Sequence, residues 1–350
     1  MPSGPPLRVA DYDYGLPPEL IAQHPLPHRD DSRLMVVDRR TGALRHGRFR
    51  EFSGLMAAGD VLVLNDTRVL PARLWGRSGE ARVEFLFVRE TDAPGTWEVL
   101  CRPAKRVRPG DVVRFPGGVA AEAAGVAGEG RRLLDFGPAD VRALLRERGY
   151  APLPPYIKRA REDEAVRPGD IARYQTVFAR KEGAIAAPTA GLHFTKGVLR
   201  ALGDRGIDVR RVTLDVGLAT FQPVRAELVA DHRMLEETYA VAPAVAKAVN
   251  AAKAEGRPVT AVGTTVVRTL ESAWRDGAVR AGRGATSLFI TPGYRFQAVD
   301  RLLTNFHLPQ STLLMLVSAF AGYELTMAAY REAVREGYRV FSYGDAMLVV

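Results

Sequence analysis

The sequence predicts an α/β fold class: a barrel-like α/β body built from both chain ends, interrupted by an inserted all-β barrel. Three observations carry that reading. Strand and helix patterns alternate after Gly183, short β-rich runs crowd together between Val69 and Phe136, and the proline-rich stretch PLPPYIKR (Pro152–Arg159) marks a return to the body. The expected boundaries are 1–68 and 152–350 for the α/β domain and 69–151 for the inserted β-barrel domain.

The first segment predicts a strand over Leu34–Asp38, a Thr41-Gly42 turn, a strand over Leu44–Gly47, a helical stretch near Phe49–Ala57 and an apolar strand over Val61–Leu64. In the insert, Arg82–Val88, Trp97–Arg102, Asp111–Phe115 and Arg131–Phe136 are β-rich and separated by Gly, Pro or acidic turns. Such closely spaced short strands suit a small barrel. A helix over Pro138–Arg148 leads into the proline-rich return. Beyond it, strands are expected at Ala184–Ala187, Val209–Val216, Val259–Val262, Ser287–Thr291, Leu302–Asn305, Val340–Ser342 and Met347–Val350. Helices are expected at Thr195–Asp204 (stopped by Gly206), from Pro243 to Gly256, from near Thr265, and at Thr312–Phe320 and Leu325–Glu336. Each crossover is long enough for a helix, so parallel strands with helices packed outside are expected.

Composition narrows the function classes. With 350 residues and 47% hydrophobic content, the chain can bury one large core or two ordinary ones, which excludes a disordered or fibrous class. A membrane span needs about 20 apolar residues. The longest apolar run, Thr312–Ala321, is about half that and reads as a buried helix, while Met1–Ala10 has no export-signal core. A soluble cytoplasmic protein that binds no membrane is expected. Cys101 is the only cysteine, so an internal disulfide or a Cys-based metal cluster within the chain is excluded. The net charge of +9 favours a polyanionic partner. Lysine occurs only at 105, 158, 181, 196, 247 and 253, so most of the positive charge is guanidinium, which forks onto phosphate and stacks on bases. A general substitution of Arg for Lys across a GC-rich genome would produce the same bias.

Several strand-to-helix turns carry candidate chemistry. AAPTAGLHF (Ala186–Phe194) offers Thr189, Gly191, His193 and Phe194 at a strand's carboxyl end, where α/β folds bind ligands. His193 there is a general acid–base candidate, or else a core or capping histidine. GTTVVRTLES (Gly263–Ser272) places Thr264 and Thr265 at a helix start whose N–H groups can hold a carboxylate or phosphate, with Arg268 one turn on and Glu271 beyond. An ordinary N-cap is the competing reading. RYQTVFA sets Arg173, Tyr174 and Gln175 side by side, a set able to stack on a base and bond its edge. Arg68 follows an apolar strand in NDTRVLPARL, Asn305 and His307 close TNFHLP, and Asp345 sits on the glycine turn of FSYGDAML, where it also suits a simple turn role. The basic run Cys101–Arg108 in the insert, with Arg102, Lys105, Arg106 and Arg108, can follow a phosphate backbone or be merely a solvated face. His24, His28 and His46 lack ligand spacing, and no metal is expected.

Taken together and in order, from DYDYGLP (Asp11–Pro17) to FSYGDAML (Phe341–Leu348), these motifs closely resemble the S-adenosylmethionine:tRNA ribosyltransferase-isomerase family of queuosine synthesis. PLPPYIKR, RYQTVFA, AAPTAGLHF, GTTVVRTLES, PGYRF and TNFHLPQSTLLMLVSAFAG are the most specific parts. The resemblance implies an α/β barrel-like domain with an inserted β-barrel. It also implies transfer and isomerisation of the ribosyl unit of S-adenosylmethionine onto 7-aminomethyl-7-deazaguanine at the tRNA wobble position. The product would be epoxyqueuosine-tRNA, with adenine and methionine released.

No cofactor or metal is implied, S-adenosylmethionine being a co-substrate, and a monomer is expected. On this basis His193 is assigned to proton transfer with Asp345 or Glu271 as orienter or alternative base. Thr264, Thr265 and Arg268 are assigned to the methionine carboxylate, and Tyr156, Tyr174 and Gln175 to the deazaguanine. The sequence departs from the family's usual pattern in three places: Asp215 and Leu235 stand where a His is usual, and Leu218-Ala219 replaces a glycine-rich step. The rival classes are an S-adenosylmethionine-dependent RNA methyltransferase, whose glycine-rich loop is missing here, and a non-catalytic RNA-binding protein.

Overall fold

A computed structural model describes residues 8–128, 130–160, 163–217 and 224–350. In chain order the strands of the first segment are β1 (Arg33–Val37), β2 (Leu44–Arg48), β3 (Val61–Asn65) and β4 (Thr67–Val69). The insert follows with β5 (Arg73–Ser78), β6 (Ala81–Glu90), β7 (Thr96–Arg102), β8 (Val112–Arg114), β9 (Ala120–Gly128), β10 (Arg131–Asp135) and helix α1 (Val141–Arg148). Then come α2 (Arg167–Arg173), β11 (Lys181–Ala184), α3 (Lys196–Asp204), β12 (Asp208–Leu214), β13 (Glu237–Val241), α4 (Pro243–Ala254), β14 (Val259–Val262) and α5 (Thr264–Ala273). The chain closes with β15 (Trp274–Arg275), β16 (Ala278–Val279), β17 (Gly282–Thr286), β18 (Arg301–Asn305), α6 (Thr312–Ala321), α7 (Tyr323–Arg335) and β19 (Ala346–Val349).

The α/β reading with an all-β barrel insert is borne out. Strands β5 to β10 close into a six-stranded barrel in the order β10-β7-β6-β5-β8-β9. Its interior is filled by Phe85, Phe87, Trp97, Val99, Val113, Phe115 and Leu134, one inward residue from every second position. The body is a nine-stranded sheet in the order β17-β13-β12-β3-β14-β18-β19-β1-β2. At its centre β3, Val-Leu-Val-Leu-Asn, is buried at every residue because helices or loops cover both faces. Four adjacent strands, β12, β3, β14 and β18, run parallel, so their carboxyl ends open on one edge. Local signals set the covering helices: Thr195 caps α3, Ser311 caps α6, and Pro243 occupies the first turn of α4. The apolar run seen in the sequence is α6, whose Leu314–Val317 and Phe320 are buried, and it meets α7 at a 117° bend. No single helix among the described residues is long and apolar enough to cross a membrane.

Several expectations need correction. The sheet is mixed: β13 and β17 add antiparallel strands beyond β12, and β19 runs antiparallel to β18. The two helices expected between β18 and β19 are present, bent by 117° at their junction, and this crossover does not return the chain parallel. The strand placed at Ala184–Ala187 is Lys181–Ala184, paired with β4. Ala186 and Ala187 are apolar because they are buried where the chain leads into Pro188, not because they pair. Ser287–Thr291 is no strand. Pairing stops at Thr286, whose hydroxyl takes the Leu288 N–H while the Leu288 carbonyl accepts from Arg268. Of Val340–Ser342 only Val340 pairs, in a single bridge to Ile21, because Phe341 turns to φ +73°. The helix expected near Phe49–Ala57 is a 3-10 helix, Phe49–Leu55.

Candidate active site

The carboxyl ends of the parallel strands border a cleft of about 630 Å³, within the roughly 300–1,000 Å³ typical of small-molecule sites. Segments distant in sequence converge there: Pro154–Tyr156 with Tyr174, the Ala187–Ala190 turn, the start of α5, the end of β18 with the loop into α6, and Phe341-Ser342. Of the residues singled out in the sequence, Tyr156, Tyr174, Thr189, Thr264, Thr265, Arg268, Asn305 and His307 line this one cavity.

The start of α5 opens on the cleft. Gly263 (φ 89°, ψ 154°) adopts a backbone conformation open essentially to glycine alone, and its N–H donates to the Leu303 carbonyl. Thr264 and Thr265 then begin the helix with N–H groups that have no intrahelical acceptor, at the positive end of the dipole. Asn65 fastens this corner: its side-chain amide donates to the Leu214 carbonyl at 3.0 Å and to Thr265 Oγ1 at 3.4 Å. Arg268 is 5% exposed and three of its donors are engaged, by a close ion pair with Glu237 and by the carbonyls of Leu288 and Thr286. Glu237 also lines the cleft and accepts the Gly217 N–H at 3.0 Å.

Two histidines sit at the end of β18. His307 faces the cleft, its Nε2 2.7 Å from Thr304 Oγ1, and the buried Tyr330 and Tyr14 hydroxyls fix its backbone. His193 lies behind it. Its Nε2 is 3.2 Å from Asn305 Nδ2, its Nδ1 is 2.8 Å from Ser32 Oγ, and its ring stacks on Phe49. With the Asn305 amide turned so that its N–H donates to the ring, Nε2 is the acceptor, so Nδ1 carries the proton and donates to Ser32. Burial pushes both imidazoles down to about 3, with Arg29 and Arg339 adding to the effect at His193. Both are therefore neutral at pH 7. Asn305 joins the two environments, lining the cleft while holding His193 and the Phe341 carbonyl.

One wall is aromatic. Tyr156 stacks on Phe341 with centroids 4.3 Å apart, and its hydroxyl is 2.7 Å from Ser342 Oγ. Burial pushes the Tyr156 phenol up to about 12 and raises that of Tyr174 as well, so both rings stay neutral, apolar surfaces at working pH.

The remaining candidates lie outside the cleft. Asp345 accepts the backbone N–H of Arg33 and of Arg339 and pairs with the Arg33 guanidinium, locking the last strand to the first. Glu271 accepts from the N–H groups of Gln297, Ala298 and Val299 and from the Tyr294 hydroxyl; burial raises its pKa against those bonds. Gln175 clamps both backbone groups of Val69, and Arg173 holds the carbonyls of Leu26 and Pro27. A Cβ on Gly191 would fall 2.7 Å from the Phe178 ring, and Phe194 is fully buried among Phe49, Phe52 and Phe178. Arg68 is exposed on β4, 3.9 Å from Glu182. Asp215 accepts from Thr67 at 2.8 Å, and burial, with Asp66 and Glu237 near, raises its pKa. Leu235 is exposed, and Leu218-Ala219 lies outside the described residues. Sequence reasoning missed Glu237, Phe341 and Ser342. Nothing local distinguishes Glu237 from Glu236, and only its inward position on β13 brings it to Arg268. Among the described residues no group of three or more His, Cys, Asp or Glu is placed to hold a metal.

The family model described as "Queuosine biosynthesis protein" matches residues 9–349. An S-adenosylmethionine:tRNA ribosyltransferase-isomerase of Moorella thermoacetica is 52% identical, with 98% of this chain and 100% of the relative covered. One from Geobacter metallireducens is likewise 52% identical, over 98% of this chain and all of its own length. The crystal structure of S-adenosylmethionine tRNA ribosyltransferase from Thermotoga maritima is 38% identical and superposes with a TM-score of 0.55, covering 97% of this chain and 100% of that one. With its fold, its shared cleft and these full-length matches, the chain belongs to the S-adenosylmethionine:tRNA ribosyltransferase-isomerase family of queuosine biosynthesis.

Proposed function

We propose that the cleft binds S-adenosylmethionine and transfers its ribosyl unit, with isomerisation, to 7-aminomethyl-7-deazaguanine at the tRNA wobble position. The product is epoxyqueuosine-tRNA, and adenine and methionine leave. The observation that supports this most is the convergence of an anion-binding helix start, a neutral imidazole and an aromatic wall in one cavity of about 630 Å³. In this reading the amino-acid carboxylate rests on the Thr264 and Thr265 N–H groups, beside an Arg268 whose charge is paired with Glu237. A purine-like ring stacks against Tyr156 and Phe341.

The sulfonium acidifies the adjacent ribosyl carbon. A base removes that proton; the electron pair forms a C4′=C5′ bond as C4′–O4′ breaks, O4′ becomes the C1′ carbonyl and adenine leaves with a proton; the substrate amine adds at C4′, the resulting C5′ carbanion closes onto C1′, and the alkoxide so formed displaces methionine to give the epoxide. We assign the first proton transfer to His307, which lines the cleft. His193 acts through Asn305 as a positioning residue. Asp345 and Glu271 hold the loops rather than the substrate. The reaction consumes no electrons, and we propose that it uses neither a redox cofactor nor a metal. We further propose a cytoplasmic monomer.

The test incubates the protein with S-adenosylmethionine and tRNA bearing the aminomethyl base, then identifies the nucleoside and small products by mass spectrometry. Epoxyqueuosine with adenine and methionine is the expected result. S-adenosylhomocysteine would identify a methyltransferase instead, and absence of S-adenosylmethionine binding by calorimetry would leave an RNA-binding protein.

A further inference from the structure

The outer face of the inserted barrel carries arginines in cross-strand contact with one another. Arg77 on β5 stands opposite Arg82 on β6 and also opposite Arg114 on β8, so three guanidiniums form one rung across neighbouring strands. All three residues are exposed. Two residues along, Trp75, Glu84 and Arg102 form the next rung. Strands lie about 4.8 Å apart and rise about 3.4 Å per residue, so the two rungs, spread over β8, β5, β6 and β7, cover a patch roughly 14 Å wide and 7 Å deep. Like charges directly opposite in a sheet cost stability.

The same barrel shows the usual remedy at its other end. There Glu98 stands opposite Arg89 and pairs with both Arg89 (2.9 Å) and Arg131 (2.6 Å). At the arginine end, among the described residues, Arg77, Arg102 and Arg114 form no ion pair. Glu84 is engaged by Arg73 at 3.3 Å, and the exposed Glu80 and Glu122 are the other acids nearby.

The patch is also continuous with the active site. Arg73, two residues before Trp75 on β5, donates to the Leu153 carbonyl at 2.6 Å, and Pro154, Pro155 and Tyr156 follow directly as a wall of the cleft. A strand of phosphates leading away from a nucleotide held in the cleft would therefore run out along β5 onto the rung of three arginines.

We infer that this barrel face, centred on Arg77 and Arg114, is the docking surface for the tRNA sugar-phosphate backbone. The inference rests on the tRNA reading above and adds where the RNA lies outside the cleft. Each phosphate contact contributes to the salt dependence of binding, with a slope of about −0.7 to −0.9 per contact in log K against log salt.

The experiment compares wild type with an Arg77→Glu/Arg114→Glu variant. A control, Arg280→Glu/Arg335→Glu, makes the same charge change on exposed arginines of the α/β body. Binding to unmodified tRNA is measured by fluorescence anisotropy between 50 and 300 mM salt, S-adenosylmethionine binding by calorimetry, and KM for tRNA by product formation. The barrel variant should bind tRNA at least tenfold more weakly at roughly 100 mM salt, with a salt slope shallower by about 1.4 to 1.8. S-adenosylmethionine affinity should match wild type, and the control variant should bind tRNA nearly as well as wild type. A barrel variant with wild-type tRNA KM and slope overturns the inference, as does equal weakening in the control, which would make the effect one of net charge alone. A wild-type protein that binds no tRNA overturns the functional reading itself, and this inference with it.

Discussion

Replacing Arg268 by methionine removes the positive half of an ion pair in which both side chains are nearly inaccessible, 6% and 3% exposed for Arg268 and Glu237. It also leaves the carbonyls of Leu288 and Thr286 without their donors. Breaking a buried pair from one side costs about 3–5 kcal/mol, because the remaining charge stays buried without its partner. Unfolding entropy of about 2.1 cal/mol/K per residue gives, for 350 residues, about 0.7 kcal/mol/K. The variant should therefore melt roughly 4–7 °C below wild type by scanning calorimetry. Adding Glu237→Gln in the same chain should recover most of that loss, since the unpaired charge is gone while an oxygen remains for the Gly217 N–H. At 25 °C the single variant should also raise KM for S-adenosylmethionine. A melting point within 1 °C of wild type would refute the account of the pair, and an unchanged KM would remove the carboxylate role.

Acid should destabilise the protein through its two buried imidazoles. Their folded pKa values, pushed down to about 3, lie below the ordinary value of 6.5, so the unfolded chain binds more protons and stability falls as pH drops from 6.5 toward 3. Each histidine contributes up to about 1.4 kcal/mol per pH unit in that window, and a His193→Gln variant should flatten urea-derived stability between pH 6.5 and 5. Gly263→Ala forces an L side chain to φ 89°, costing about 1–3 kcal/mol, and by displacing the helix start it should raise KM for S-adenosylmethionine more than it lowers kcat. Tyr156→Ala removes a stacking surface worth about 1–3 kcal/mol, so KM should rise roughly 5- to 150-fold for whichever substrate stacks there; steady-state titration of each in turn identifies it. Asp345→Asn should lower thermal stability while preserving turnover at saturation, because its carboxylate bonds to Arg33 and Arg339 and not to the cleft.

The sequence by itself determined the α/β alternation, the presence of an all-β barrel insert and the motifs that carry the family resemblance. Hydrophobic period, Gly and Pro punctuation and cap residues such as Thr195 and Ser311 are local properties, and they survive folding unchanged. Tertiary structure alone decided which polar residues line the cleft. Asp345, Glu271 and Gln175 look like active-site groups in a string of letters, yet each has spent its hydrogen-bonding capacity on distant backbone. Glu237, silent in the sequence, reaches the cleft because antiparallel pairing of β13 turns it inward against Arg268. His193 and His307 likewise exchange places, the second facing the cavity and the first standing behind Asn305. The physical reason is one of range: a side chain's environment is set by strands and loops paired across hundreds of residues, and no local pattern encodes which of its neighbours will already have satisfied it.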